Sequence, residues 1–399
     1  MMTHPDRKAE RAARKAEKAR IKEEKYYLAS QWKLMARKLG KHKLARFSLF
    51  ILGFLYLVAL LGDFLAPYSL TEYDANSKDL PPTAVHFVYE GKWIGPYVFK
   101  SEWQTLKMSV AEMSKAKKEA AERGEVFSTR QIVTDHSTPI RIRWFVHGSP
   151  YKILGLFESD LHLFGTDGGG KVFLFGADNL GRDLFSRIIL GSQVSLTIPF
   201  AGTFISFILG LLIGSVSGYF GGWIDNMIQR VIEVLNSLPS LPLWMALSAA
   251  IPAGIPPVQM YLLITVILSL IGWTGLARVV RGKFMSLKNE DYVMAAKLAG
   301  VSDMKIIMKH MVPGFMSYLI VSLTLGIPSM IIGETSMSFL GLGIQAPATS
   351  WGVLLKEAQN VTNIVSHPWC LIPLFFVVLT VLAFNFLGDG MRDAADPYK

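Results

Sequence analysis

The amino-acid sequence predicts an all-α polytopic membrane protein with six transmembrane helices and an α+β extracytoplasmic insertion. Of its 399 residues, 51% are hydrophobic and the mean hydropathy is +0.33, which places the chain among membrane proteins. Uncharged stretches at 188–224, 234–277, 311–333 and 358–388, together with the apolar run 47–65, each reach roughly the 20 residues a helix needs to cross the hydrocarbon layer. The formal excess of +10 lies entirely in residues 1–46, which hold 15 Lys or Arg against 5 Asp or Glu; the remainder balances at 26 against 26. By the positive-inside rule this places the N-terminal tail in the cytoplasm, and six spans return the C-terminus to the same side.

Residues 1–46 form a basic cytoplasmic tail and an interfacial helix. Leu28, Trp32, Met35 and Leu39 recur at helical spacing among Lys33, Arg37, Lys38 and Lys41, which suits a helix lying against lipid headgroups or, alternatively, packed in the cytoplasm. A basic flank beside a first span is explained by orientation, so no nucleic-acid partner is expected. Residues 47–66 are the first transmembrane helix, a retained anchor rather than a cleaved signal.

Residues 67–192 are an extracytoplasmic lobe with 15 basic and 15 acidic side chains, too long and polar for a simple connector. A helix is predicted over 103–123, stopping at Gly124. Ile140, Ile142, Trp144 and Val146 alternate with Arg141, Arg143 and Phe145 as a half-buried strand, and further strands fit 85–89 and 171–175. The run Gly165 to Lys171, GTDGGGK, matches the start of a phosphate-binding loop. Val172 stands where that loop needs a Mg²⁺-binding hydroxyl, so it reads as a glycine turn between strands.

Residues 193–390 hold a five-helix core. The stretch 234–277 is long enough for two spans and is divided at Pro252, Gly254, Pro256 and Pro257, which no single helix continues through. Within the core, 279–312 is a cytoplasmic loop, and 391–399 is a cytoplasmic C-terminal tail. Cys370 is the only cysteine, which excludes an intrachain disulfide and a cysteine-based metal cluster. The sequence offers no metal site, and no nucleophile–base arrangement that would make the chain an enzyme.

Tyr292, Ala295, Ala296 and Ala299 place small side chains along one part of a short helix that Gly300 stops. Such a face suits docking into a groove; an amphipathic connector is the other reading. Glu233 and Glu334 border apolar spans, where a carboxylate faces water, a partner or the protein interior. With Pro239 and Phe339 they are candidates for a translocation pathway or gate, with structural hydrogen bonding as the alternative for the two acids. Gly181, Arg182, Asp183 and Arg187 suit an outer entrance, or a plain turn with local ion pairs.

Four blocks together resemble the inner-membrane permease subunits of ATP-driven peptide importers, the dipeptide and oligopeptide permease C-type family. They are FGADNLGRDLFSRIILGSQVSL, GYFGGWIDNMIQRVIEVLNSLPSLPL, the run DYVMAAKLAGVSDMKIIMKHMVP from Asp291 to Pro313, and GETSMSFLGLGIQAPATSWG. The resemblance implies the type I ABC importer permease fold and a bacterial inner-membrane location. It also implies a second homologous permease subunit, two ATPase subunits that bind ATP and Mg, an extracytoplasmic substrate-binding protein, and surrounding lipid; this chain itself binds no cofactor. It assigns the third block to the coupling loop that docks on an ATPase. Ala295, Ala296, Gly300 and Pro313 match that loop's pattern, while Met294, His310 and Val312 depart from it. Peptide is the implied cargo, with nickel complexes or oligosaccharides as alternatives. A self-sufficient secondary transporter or channel is the reading from another class.

Overall fold

The computed structural model describes residues 31–105, 108–122, 130–153, 157–166, 170–252 and 254–395. Helix α1 (Gln31–Lys41) carries Trp32, Met35 and Leu39 of the expected interfacial helix; Leu28 lies outside the described residues. At His42 the chain turns into α2 (Lys43–Leu60), and the His42 Nδ1 accepts the Ala45 backbone N–H at 3.1 Å, capping the first span. After a break at Leu61 the span ends in a short helical turn, Gly62–Leu65.

The lobe is a four-stranded antiparallel meander, β1 (His86–Tyr89), β2 (Lys92–Thr105), β3 (Arg130–Ile153) and β4 (Phe157–Thr166), with α3 (Val110–Glu122) between β2 and β3. The structure corrects three local expectations. Trp103, Gln104 and Thr105 extend β2 and pair with Ile132, Gln131 and Arg130, so the helix begins later than the sequence suggests; its stop at Gly124 lies outside the described residues. No strand forms at 171–175. There the Val172 N–H donates to the Tyr68 hydroxyl at 2.8 Å, and Phe173 exchanges bonds with Thr83, so a strap preceding the sheet satisfies this backbone. The alternation of β3 fails at Phe145, whose φ of +58° leaves Trp144 and Phe145, adjacent in sequence, both exposed. Residues 167–169 of the glycine run lie outside the described residues.

The remaining elements are α4 (Leu184–Phe220), α5 (Gly222–Ser237), α6 (Ser240–Ala249), α7 (Pro257–Leu287), α8 (Asp291–Leu298), α9 (Met316–Phe339), α10 (Trp351–Leu355), α11 (Val361–Ser366) and α12 (Ile372–Ala395). Among the described residues, five helices are each long and apolar enough to cross a membrane: α2, α4, α7, Asp303–Phe339 and Pro368–Ala395. The α5–α6 pair, bent by 86°, makes a sixth span if counted as one. Three boundaries differ from the sequence reading. Helix α4 starts at Leu184, inside the stretch assigned to the lobe. The third span starts at Gly222 and breaks at Leu238 and Pro239, where proline supplies no N–H. The last span starts at Pro368, because Asn360 caps the separate short helix α11 by accepting the Thr362 N–H, and the chain leaves helical conformation at His367, before the proline.

One core joins α2, α4, α9, α10 and α12 around Leu52, Ile188, Ile331, Trp351 and Phe384. The Trp351 indole N–H donates to the Ile188 carbonyl at 3.0 Å and its backbone N–H to the Ser195 hydroxyl at 2.9 Å, pinning α10 to α4. Helices α4 and α7 pack against each other along much of their length. A Cβ built on Gly214 would lie 2.5 Å from the Ala277 carbonyl oxygen, and one on Gly218 would lie 2.6 Å from that of Arg281. Glycines four apart thus let two backbones meet, which suits association where lipid supplies no hydrophobic drive.

Candidate functional site

Helix α8 and the turn after it project from the end of the bundle opposite the lobe. The helix closes in a Schellman motif. Gly300, at φ +74°, donates to the Lys297 carbonyl at 3.0 Å, and Val301 donates to the Ala296 carbonyl at 3.1 Å. The motif brings Val301 back against Ala296, and both pack with buried Val293 on a core that includes Phe284, Ile306, Met311 and Phe315. Ala296 is therefore half-buried against its own chain, not open for docking as the helical spacing suggested. Tyr292, Ala295, Ala299, Gly300 and Pro313 are exposed. The apolar surface beside them was missed: Leu298 is 87% exposed and Met304 59%, with Met294 and Met308 near half.

This loop is tied firmly to the membrane helices. Pro313 supplies no N–H to the Lys309 carbonyl, and the chain passes through a π segment, Ile306–Met311, and a 3₁₀ turn before α9 begins. The Tyr219 hydroxyl at the end of α4 donates to Asp303 Oδ1 at 2.5 Å, and the Lys288 ammonium lies 5.8 Å from the Tyr219 ring centroid. Arg281 on α7 clamps Asp225 on α5 with Nε–Oδ1 at 2.6 Å and Nη2–Oδ2 at 2.5 Å, and Ser217 also donates to Asp225. No local sequence pattern links residues 56 positions apart, so this clamp was invisible in the sequence.

At the lobe end, Asp178 gathers both arginines proposed for an outer entrance. Arg182 Nε donates at 2.7 Å, Arg187 Nη1 also donates, and Asp178 takes the backbone N–H groups of Leu180 and Arg182 at 2.8 and 2.9 Å. The i,i+4 spacing of Asp178 and Arg182 was a readable signal. Gly181 has φ +73°, and a Cβ there would fall 1.8 Å from the Asp74 carbonyl oxygen, so only glycine fits. Asp183 caps α4 by accepting the Ser186 N–H and hydroxyl, both at 2.7 Å; burial pushes its carboxyl up to about 7. Glu357 stands 3.9 Å from Arg187, whose charge is already taken by Asp178. Burial, and then the Asp178 charge, push Glu357 up to about 7. The cluster is buried and internally paired, and joins the start of α4 to the turn after α10.

The four pathway candidates separate. Glu334 on α9 is fully buried and accepts the Ser338 hydroxyl at 2.7 Å; Phe339 packs half-buried on the main core. Glu233 is exposed and pairs with Arg230 at 2.6 Å, and Pro239 sits at the α5–α6 bend. None lines a groove of about 880 Å³ between α7, α9 and α12. Its walls include Gly272, Gly275, Tyr318 and Ser322, with Lys283 and Arg392 toward the α8 end.

Fold and site define a polytopic helical membrane protein, with an exposed apolar surface on a loop anchored to its spans. Residues 210–398 match the model of the binding-protein-dependent transport system inner membrane component, and residues 30–82 that of the N-terminal TM domain of oligopeptide transport permease C. The chain is 33% identical to the dipeptide transport system permease protein DppC of Bacillus subtilis over 362 residues, 90% of this chain and 84% of that one. It is 42% identical to the oligopeptide transport system permease protein OppC of Haemophilus influenzae over 56% of this chain and 70% of the relative. The glutathione transport system permease protein GsiD of Escherichia coli is 39% identical over 64% of this chain and 80% of the relative. Among solved structures, an inward-facing MetNI methionine ABC transporter shares 17% identity at a TM-score of 0.43, covering 53% of this chain and 98% of that one. The chain belongs to the dipeptide and oligopeptide permease family of binding-protein-dependent ABC importers, as a transmembrane inner-membrane component.

Proposed function

We propose that this chain forms half of the pathway of a peptide importer and receives the work of ATP hydrolysis through the exposed surface around α8. The uncovered apolar patch of Leu298, Met304, Met294 and Met308 carries this reading, because a water-facing loop on a membrane subunit gains nothing from such a patch unless a partner covers it. The partner is a separate ATPase subunit that binds ATP and Mg, and the Tyr219–Asp303 and Arg281–Asp225 contacts pass its movement to α4, α5 and α7. Dipeptide, oligopeptide and glutathione relatives support small peptides as cargo. The basic tail supports a cytoplasmic side for the N-terminus, the α8 loop and the C-terminus, with the lobe outside. A second homologous permease completes the pathway, two ATPases drive it, and an extracytoplasmic binding protein delivers cargo. The chain catalyses no reaction itself.

The test is ATP hydrolysis by the complex purified with its native partners, with and without peptide-loaded binding protein. Stimulation by the loaded protein supports the proposal. Transport by this chain reconstituted alone, without an ATPase, would overturn it.

A further inference from the structure

The lobe stands against the outer end of the first span. The turn Gly62–Leu65, which continues α2, packs on both β3 and β4, and the rings of Phe64 and Phe145 lie 6.4 Å apart. Further along the hairpin, Lys152 borders a depression shared with Tyr56 and Leu60 of α2 and Thr197 of α4. The far part of the β3–β4 hairpin therefore runs beside the last turns of α2 and the early turns of α4, instead of rising away from them. Its aromatic side chains are uncovered: Trp144 is 62% exposed, Phe145 61% and Phe157 71%.

Two features identify what covers them. First, the neighbouring surface of α2 exposes Phe47, Phe50, Phe54, Leu57 and Leu60 at helical spacing, the stripe of a span that faces acyl chains, and the aromatic hairpin continues it past the end of the helix. Second, the aromatics are interleaved with Lys152, paired to Glu158 at 3.3 Å, and His147, paired to Asp160 at 2.9 Å. β4 is also an edge strand whose outer backbone groups need hydrogen-bond partners. Hydrocarbon cannot satisfy those groups, and bulk water rewards no exposed tryptophan or phenylalanine. The headgroup layer satisfies both demands. We propose that the β3–β4 hairpin is a membrane-interface anchor, with Trp144, Phe145 and Phe157 seated in the headgroup layer of the outer leaflet so that the lobe lies on the bilayer. The positive φ at Phe145 suits this role, since it presents two consecutive aromatics outward at the cost of local strain.

Replacement of the only cysteine, Cys370→Ala, gives a background for spin labels at Trp144→Cys and Phe157→Cys, with Val110→Cys on α3 as the water-exposed reference. The labelled full-length chain is purified in its native complex and placed in phospholipid nanodiscs. Collision with oxygen should exceed collision with a water-soluble nickel chelate several-fold at positions 144 and 157, and the order should reverse at 110. Chelate access at 144 and 157 equal to that at 110 would overturn the proposal. So would immobilised labels shielded from both reagents, which would assign the hairpin to the binding protein or the second permease. A second readout needs no cysteine variant: brominated phospholipid should quench the unmodified protein more than Trp144→Phe, and equal quenching would count against the anchor.

Discussion

Arg281 holds Asp225 through two parallel hydrogen bonds, Nε–Oδ1 at 2.6 Å and Nη2–Oδ2 at 2.5 Å, tying α7 to α5 beside the α8 loop. Asp225 is buried, so losing its partner leaves a carboxylate with only neutral donors. Because Arg281 is partly exposed, Arg281→Gln should cost about 2 kcal/mol, below the range for a fully buried pair. Unfolding titrations in mixed micelles measure this. The double variant Arg281→Gln with Asp225→Asn should lose less than the sum of the singles; simple additivity would show that the pair is not coupled.

Tyr219→Phe removes the donor to Asp303 and leaves the ring in place. Hydrogen exchange should speed up about tenfold across 303–311, equivalent to about 1.4 kcal/mol, while α12 stays protected. Unchanged exchange there would mean that the tyrosine does not hold the loop.

Gly214→Val puts a branched side chain where even a Cβ meets the Ala277 carbonyl oxygen at 2.5 Å. The α4–α7 contact must open, at a cost of about 3 kcal/mol or more. Size-exclusion profiles should show aggregation or loss of folded protein, whereas Gly53→Val, on a glycine with open space around it, should behave as wild type.

The cluster at the lobe end makes stability depend on pH. Glu357 and Asp183 have folded pKa values of about 7, above their ordinary carboxyl values. Between those ordinary values and about 7 the folded chain keeps protons that the unfolded chain releases. Their stabilising contribution is therefore full below about pH 4 and lost as pH rises to about 7, with a slope of up to about 1.4 kcal/mol per pH unit for each group. Glu357→Gln should flatten part of that slope in unfolding titrations between about pH 5 and 7; an unchanged slope would remove Glu357 from the cause.

The spans were legible because uncharged runs near bilayer length have few other uses, and the loop at Asp291 to Pro313 was legible because small residues and Gly300 mark a short helix with a defined stop. Which side of that helix faces out was not. Val301 returns to cover Ala296 through bonds that form only once the Schellman turn closes. A break at Pro239 follows from its missing N–H, but the angle of 86° depends on packing. Trp103 follows the same logic: the helix was expected to begin there, and pairing with Ile132 places it in β2 instead. Asp178 with Arg182 lay within reach of spacing arguments, while Arg187 with Glu357 and Arg281 with Asp225 required the folded chain.

Leu298 tests the central claim most directly, because its side chain is 87% exposed and supports nothing in its own chain. Leu298→Glu should leave membrane insertion and the size-exclusion profile unchanged. Burial of a leucine side chain against a partner is worth about 1.5–3 kcal/mol, so co-purification of the ATPase subunit should fall at least about tenfold, and hydrolysis stimulated by loaded binding protein should fall with it. Co-purification and stimulated hydrolysis at wild-type levels in Leu298→Glu would contradict docking at α8.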